Sequence, residues 1–271
     1  MAFCSAEAFR TPFLKWPGGK HWLTPTLVPL IEARLRGTYY EPFLGGGAVF
    51  LNLRAAHALI SDNNKDLIAA LKAMRDTPEE VLAGVRRLSN TRDCYERIRL
   101  ARPSSVVGRA VRFLYLNRTC WGGIYRLNRK GEFNVPYGNS GRVICRSAVF
   151  RAGAMKLQAA KLRCCDFEVV LNDAQMGDVA YCDPPYTTRG QNNGFVRYNE
   201  FLFSWRDQER LANACHRAAG RGATVIVSGL WHRDFLDLYP GWSKRKLERT
   251  STVSRLAKGR RRIAEALVTN T

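Results

Sequence analysis

The stretch Thr38-Tyr39-Tyr40-Glu41-Pro42-Phe43-Leu44-Gly45-Gly46-Gly47, followed downstream by Asp62, decides the fold. Thr38 to Glu41 predicts a short strand and Pro42 to Gly47 a glycine-rich turn. Ala48 to Ala56 reads as the helix which that turn opens, and His57 to Ser61 as a second apolar strand ending at Asp62. Strand, glycine turn, helix, strand and acid, in that order, make a nucleotide-binding α/β unit. Glycine permits a tight turn and a close approach of backbone to a ligand. An acid at the end of the second strand can accept from both hydroxyls of a ribose. The run is not G-x-G-x-x-G, and Asp62 equally suits a turn or N-cap role before a helix beginning at Asp66.

Outward from this unit the chain alternates. His21 to Leu35 predicts a helix after the Pro17-Gly18-Gly19 turn. Asp66 to Leu88, the residues from Asp93 onward and Ala110 to Asn117 carry apolar positions at three-to-four spacing and read as helical. Cys120 to Gly141 changes character, with turn signals around a short strand, Glu132 to Val135. Ala148 to Leu162 is again helical. Strands are expected at Asp166 to Val170, Val179 to Cys182, Thr224 to Ser228 and Ile263 to Val268, with helices Arg206 to Ala219 and His232 to Leu238. The expected architecture is an α/β, Rossmann-like domain interrupted by a basic, mostly helical insertion with a β-hairpin. Residues 1–66 and 148–271 form the two parts of the main domain and 67–147 the insertion.

Composition narrows the classes. The 271 residues are 46% apolar and 24% charged, ordinary for a globular protein and unlike a disordered chain. No stretch approaches the roughly 20 apolar residues that cross a bilayer. Met1 to Phe9 lacks signal-peptide architecture, so cytoplasmic placement is expected. Eight cysteines show no C-x-x-C pair and no histidines at zinc spacing; they read as reduced thiols, and no metal is expected.

The formal charge of +20 is concentrated. Val85 to Phe150 holds 14 Lys and Arg against 3 acids, and Pro240 to Arg262 holds 9 against 1. Such runs also form plain solvated faces. The first, however, interleaves arginines with Trp121, Tyr125, Phe133 and Tyr137, cations for phosphates beside aromatics for bases. Nucleic acid is therefore the expected partner, and the second run is expected to follow its backbone.

Two further motifs carry chemistry. Tyr181-Cys182-Asp183-Pro184-Pro185-Tyr186 follows a predicted strand. Consecutive prolines remove two donors and fix two φ angles, which holds a carboxylate and an aromatic ring on one rigid corner. An exocyclic amine could donate to Asp183 and the Pro184 carbonyl while its ring stacks on Tyr186; a plain Pro-Pro turn is the alternative. Leu14-Lys15-Trp16-Pro17-Gly18-Gly19-Lys20 brackets a turn with an aromatic and two cations, which suits an anion. Taken alone, the stretch is better explained by a buried Trp beside a surface Lys.

Taken in order, Trp16-x-Gly-Gly-Lys20, Pro42-Phe43-x-Gly45-x-Gly47, Asp62, Leu116-Asn117-Arg118 through Arg126-x-Asn128 to Pro136-x-Gly138, and Asp183-Pro184-Pro185-Tyr186 resemble the Dam/DpnM family of DNA adenine-N6 methyltransferases. The likeness runs from about Thr11 to Asn270, and the Phe203-Ser204-Trp205 helix start shares it. It implies a class I methyltransferase sheet, S-adenosylmethionine as donor with S-adenosylhomocysteine as product, and double-stranded DNA as substrate. It implies cofactor contacts at Trp16, Lys20, Asp62 and Asp183, with Phe43, Gly45 and Gly47 in the turn and Asp166-Phe167 near the cofactor's adenine. Asp183, Pro184 and Tyr186 would be catalytic. Lys15, Arg118, Trp121, Ile124, Arg126, Asn128 and Pro136 would meet DNA, within GATC. The family often reads Asn-Gly-Leu where this chain has Gly122-Gly123-Ile124, and Tyr or Phe where it has Trp121, which leaves the recognised sequence open. Methylation of cytosine N4 or of RNA adenine, and a non-catalytic DNA-binding role, are the rival readings. Similar cytosine-N4 enzymes usually carry Ser where Asp183 stands. No membrane or protein partner is implied.

Overall fold

The computed structural model describes residues 14–128, 130–139, 141–189, 203–250 and 262–271. Its elements, in chain order, are α1 (Thr24–Glu32), β1 (Tyr39–Glu41), α2 (Ala48–Asn52), β2 (Ala58–Ser61), α3 (Lys65–Asp76), α4 (Pro78–Arg86), α5 (Arg92–Leu100), α6 (Val106–Thr119), α7 (Ser147–Gln158), β3 (Ala160–Arg163), α8 (Phe167–Leu171), β4 (Val179–Cys182), α9 (Trp205–Gly220), β5 (Thr224–Leu230), α10 (Arg233–Asp237), β6 (Ser243–Thr250) and β7 (Arg262–Thr269). Two compact units divide them. The first takes in the described residues to Glu32, then Leu44–Ala56 and Asp62–Cys164. The second takes in Ala33–Phe43, His57–Ser61 and the described residues from Cys165 on.

The first unit is helical. The single helix expected over Asp66 to Leu88 is two, because Pro78 lacks an N–H and drives Thr77 out of helical geometry (φ −135°, ψ 56°). Asn64, not Asp62, caps α3, its side chain accepting from Asp66 N and Leu67 N. Thr91 and Ser105 cap α5 and α6 in the same way. Helices α3, α4 and α5 pack on α6, which buries Phe113, Leu114, Tyr115 and Leu116. Residues 67–147 all fall in this unit.

The second unit is built on the sheet. Its described strands lie in the order β2-β1-β4-β5-β7-β6. β2, β1, β4 and β5 run parallel; β7 is antiparallel to β5 and β6 to β7. β1, β2 and β4 are buried throughout, as parallel strands covered on both faces are. One face carries the apolar cluster of Tyr40, Ala180, Cys182, Val225 and Val227 with Val170 of α8 and Leu211 and Cys215 of α9.

Three local expectations are corrected. Asp166 to Val170 is not a strand: the Asp166 side chain accepts from Glu168 N and starts α8. The strand comes earlier, at Ala160–Arg163, where α7 has already ended. Glu132 to Val135 forms no strand. Instead the segment is held by two isolated antiparallel bridges, Cys120 to Tyr137 and Leu127 to Phe133, after a single 3-10 turn at Trp121–Gly123. Pro136 cannot donate to a longer ladder. Finally, much of the second basic run is strand β6, paired from Ser243↔Thr269 to Thr250↔Arg262. Its Lys244, Arg245 and Lys246 are exposed, and residues 251–261 lie outside the described residues. No described helix is long and apolar enough to cross a membrane.

Gly229 of β5 lies against the ring of Phe235, which a Cβ would strike. Overpacking of this kind costs about 1–3 kcal/mol. Gly229→Ala should therefore lower the thermal midpoint in a calorimetric scan, and Gly229→Ala with Phe235→Leu should recover part of the loss.

Candidate active site

The Asp-Pro-Pro-Tyr corner sits in the second unit, directly after β4. The parallel register pairs Tyr181 with Ile226 and Cys182 with Val227, so Asp183 follows as the neighbour of Ser228. Ser228 Oγ donates to Asp183 Oδ1 at 2.6 Å. The Tyr181 hydroxyl lies 3.1 Å from Ser228 Oγ. Burial, then the charge of Asp183, pushes the Tyr181 phenol well up, so it keeps its proton. Pro184 is buried, while Asp183, Pro185 and Tyr186 are partly exposed. The Tyr186 hydroxyl donates to Glu265 Oε2 at 2.8 Å. Burial, then the negative charges of Asp183 and Glu265, pushes this phenol well up too. A carboxylate and a partly exposed tyrosine thus stand together at the carboxyl edge of the sheet, where α/β folds take their ligands.

An aromatic group lies in the same unit. Phe43 stacks on Phe167 (centroids 5.5 Å apart, 26°) and meets Phe203 edge-on (5.5 Å, 84°). Asp166 accepts from Glu168 N as a helix cap and from Arg210, whose guanidinium lies 4.9 Å from the Phe167 ring. The Asp166 carboxylate therefore already has structural work.

The glycine turn belongs to the first unit. Gly45 (φ +50°) and Gly47 (φ +68°) are left-handed, and Gly47 leads into α2. A Cβ on Gly45 would lie 2.9 Å from two atoms of the Trp16 ring, so conformation and contact both demand glycine. Asp62 Oδ2 accepts from Gly45 N at 3.0 Å and Oδ1 from Asn64 N at 2.9 Å. Burial raises the Asp62 carboxyl, opposed by the hydrogen bonds from Asn64 and Gly45. Each of its oxygens keeps a further lone pair for a hydroxyl. Lys20 is not the surface lysine of the bland alternative: it is 4% exposed, and its Nζ donates to the Gly18 carbonyl at 3.0 Å.

The expected DNA-reading residues are also in the first unit. Asn117 grips Lys15 twice, through Lys15 N to Asn117 Oδ1 (3.0 Å) and Asn117 Nδ2 to Lys15 O (2.6 Å). Lys15 Nζ donates to the Arg118 carbonyl at 2.6 Å. Burial, then the Arg118 charge, lowers the Lys15 ammonium, and burial lowers the Arg118 guanidinium. Trp121 is 46% exposed despite its size. Arg126 and Pro136 are exposed, and Arg126 Nε donates to Asn134 Oδ1 at 2.8 Å. Ile124 is half-buried against the cluster of Tyr95, Tyr115 and Phe133. Asn128 serves the turn: its Oδ1 accepts from Lys130 N and Glu132 N, and its Nδ2 donates to Glu132.

Motif reading missed Ser228, Glu265 and Glu41. Glu265 is 1% exposed and Glu41 3%, and Glu41 accepts from the Tyr39 hydroxyl at 2.8 Å. A lone acid inside the apolar run Ile263 to Val268 was the available signal for Glu265. Among the described residues no cluster of His, Cys, Asp and Glu could hold a metal ion.

A mostly parallel sheet with antiparallel β7 between β5 and β6, a polar corner after β4 and a glycine turn places the chain among methyltransferase-type α/β proteins. The chain belongs to the D12 class N6 adenine-specific DNA methyltransferases, whose family model matches residues 16–253. It is 33% identical to the Type II methyltransferase M1.LlaDCHI of Lactococcus lactis subsp. cremoris, over 96% of this chain and 95% of that protein. It is 32% identical to the Type II methyltransferase M.MjaIII of Methanocaldococcus jannaschii, over 87% and 90%. It is likewise 32% identical to a DNA adenine methylase of Vibrio cholerae serotype O1, over 94% of each. The protein is thus an adenine-specific DNA methyltransferase, and its family implies a DNA substrate and S-adenosylmethionine as donor.

The glycine turn gives a test that needs no ligand. Gly45→Ala adds the left-handed penalty of about 1–2 kcal/mol and a collision with Trp16. In a Trp16→Ala background only the first remains. Thermal unfolding should show a smaller Gly45→Ala loss there than in the wild-type background.

Proposed function

We propose that the protein methylates N6 of an adenine turned out of duplex DNA, within GATC. The observation that carries this reading is the pairing at one sheet edge of an oriented carboxylate, Asp183, with a hydrogen-bonded, partly exposed tyrosine, Tyr186. Residues 1–66 and 148–271 are assigned to catalysis and 67–147 to target recognition.

The residues present fit the donor. Asp62 keeps lone pairs for ribose hydroxyls, Lys20 is a buried cation suited to a carboxylate, and Trp16, Gly45 and Gly47 shape the turn. Phe43 and Phe167, with Asp166, are assigned to the adenine end. When bound, S-adenosylmethionine supplies an electrophilic methyl group. The chain's own work is positioning. The target base stacks on Tyr186, and its amino group donates to Asp183 and to the Pro184 carbonyl. Those two acceptors raise electron density on N6, and a proton leaves after transfer.

Taking adenine out of a duplex costs a few kcal/mol. Trp121, large, flat and exposed, is suited to fill the gap, with Ile124 and Pro136 beside it in the segment. Arg126 has its Nε held by Asn134, which leaves the terminal nitrogens for a guanine edge. Lys15 reads the first guanine by exchanging its Arg118 carbonyl for a base acceptor. Arg118 and Asn128 hold the segment's shape and meet backbone.

Two experiments test this. Asp183→Ala should abolish incorporation of labelled methyl into duplex DNA while leaving duplex affinity within a few-fold of wild type; digestion and identification of the product base should give N6-methyladenine alone. N4-methylcytosine, or label in RNA only, would assign another amine. Arg126→Ala should lose about 1–3 kcal/mol of discrimination at one guanine, read by mapping methylation across GATC and its single-base variants. A uniform loss on every substrate would make Arg126 a phosphate contact.

A further inference from the structure

We infer that Ser228 and Glu265 are positioning residues for the transfer, Ser228 fixing the Asp183 carboxylate and Glu265 fixing the Tyr186 ring. This rests on the roles proposed above for Asp183 and Tyr186. Both residues arrive by strand register. Cys182 pairs with Val227 in the parallel ladder, so the next step brings Asp183 beside Ser228. In the antiparallel ladder Ser228 pairs with Leu267 and Leu230 with Glu265. Alternation puts Glu265 and Leu267 on one face of β7, the face on which Ser228 lies on β5.

Hydrogen-bond direction then follows from proton count. A serine hydroxyl has one proton, and an ionised carboxylate only accepts. The short 2.6 Å contact is therefore Ser228 donating to Asp183 Oδ1. Its other acceptor, the Cys182 carbonyl, is more distant at 3.4 Å. Tyr181, which keeps its proton, donates in turn to Ser228 Oγ. The Asp183 carboxylate is thus turned by a relay of donors that starts in the buried sheet. Asp183 Oδ1 is held in this way, and the amino group of the substrate base is assigned to the carboxylate so oriented.

Glu265 has no place in an apolar strand on packing grounds. It is 1% exposed, between Ala264 and Ala266. Burying a carboxyl is costly unless it is hydrogen-bonded. Its 2.8 Å bond from the Tyr186 hydroxyl anchors the far end of the ring, while the residue stays partly open to a base. A base stacked on a fixed ring presents its amino group at one angle, and small displacements from productive geometry cost large factors in rate.

The test is steady-state methylation of duplex DNA by the full chain. Ser228→Ala and Glu265→Leu should each lower kcat about tenfold to a hundredfold, with KM for S-adenosylmethionine and for duplex within about twofold. Glu265→Gln, whose amide oxygen still accepts from Tyr186, should retain most of kcat. Glu265→Leu added to Tyr186→Phe should cost less than the two single losses combined, because both remove the same Tyr186–Glu265 bond. Wild-type kcat in Ser228→Ala and in Tyr186→Phe would overturn the inference, as would equal losses in Gln and Leu at 265 or additive losses in the double variant. Should Glu265→Leu fail to fold, Tyr186→Phe and Glu265→Gln decide: wild-type kcat in Tyr186→Phe, or a loss in Glu265→Gln as large as that in Tyr186→Phe, overturns the brace. A wild-type protein that leaves adenine N6 unmethylated would instead sink the reading of Asp183 and Tyr186 itself.

Discussion

Strand register is the constraint on which the second unit depends. β1, β4 and β5 run parallel with Tyr40 opposite Ala180 and Ala180 opposite Val225. Alternation then sorts their residues into two faces. Tyr40, Ala180, Cys182, Val225 and Val227 share the apolar cluster with α8 and α9. Tyr39, Glu41, Tyr181 and Ser228 occupy the alternate positions, and each has a hydrogen bond there. A slip of one residue would send Tyr181 and Ser228 into the apolar layer and Cys182 out of it. The apolar face fixes the register, and the register delivers Asp183 to Ser228. Stability and chemistry here share one determinant.

The first unit has a different organising contact, the Asp62 carboxylate. One oxygen holds Gly45 N and the other Asn64 N, so a single side chain ties the glycine turn to the start of α3. Asn64 then caps that helix. The turn is shaped from its other side by Trp16, whose ring leaves no room for a Cβ at Gly45. One residue before Trp16, Lys15 is gripped by Asn117 and donates to the Arg118 carbonyl, at the end of α6. Gly123 is obligatory there, because a Cβ would strike the Lys15 side chain. Within this unit the glycine turn and the base of the segment bearing Trp121 and Arg126 are therefore mechanically continuous.

Much of this was legible along the chain because it is local. Glycines before a helix, two prolines after a strand and a cluster of arginines among aromatics each act within a few residues. The α/β alternation around β1, β2, β4 and β5 followed. What escaped was decided across the chain or by a single atom. Asp166 caps α8 with one side-chain oxygen, which outweighs the strand preference of Val169 and Val170. β6 hid behind its Lys-Arg-Lys run, whose pattern on an exposed edge strand carries no buried face to betray it. Ser228 and Glu265 have no motif at all. Their partners lie 45 and 79 residues away, so their roles exist only once register is known.

The same distinction bears on the charge. The surplus between Val85 and Phe150, interleaved with aromatics, pointed to nucleic acid. The structure assigns part of it to folding. Arg112 donates to the Ile98 and Arg99 carbonyls at the end of α5, where unsatisfied acceptors and the helix dipole both favour a cation. Arg99 pairs with Glu96, and Arg102 turns back on carbonyls of the same helix end. Arg118 is half-buried. Arg112 and Arg102 are engaged in holding a helix end, whereas Arg126 is exposed. Net charge therefore agrees with the DNA substrate that the family implies, while part of it serves to close helix ends.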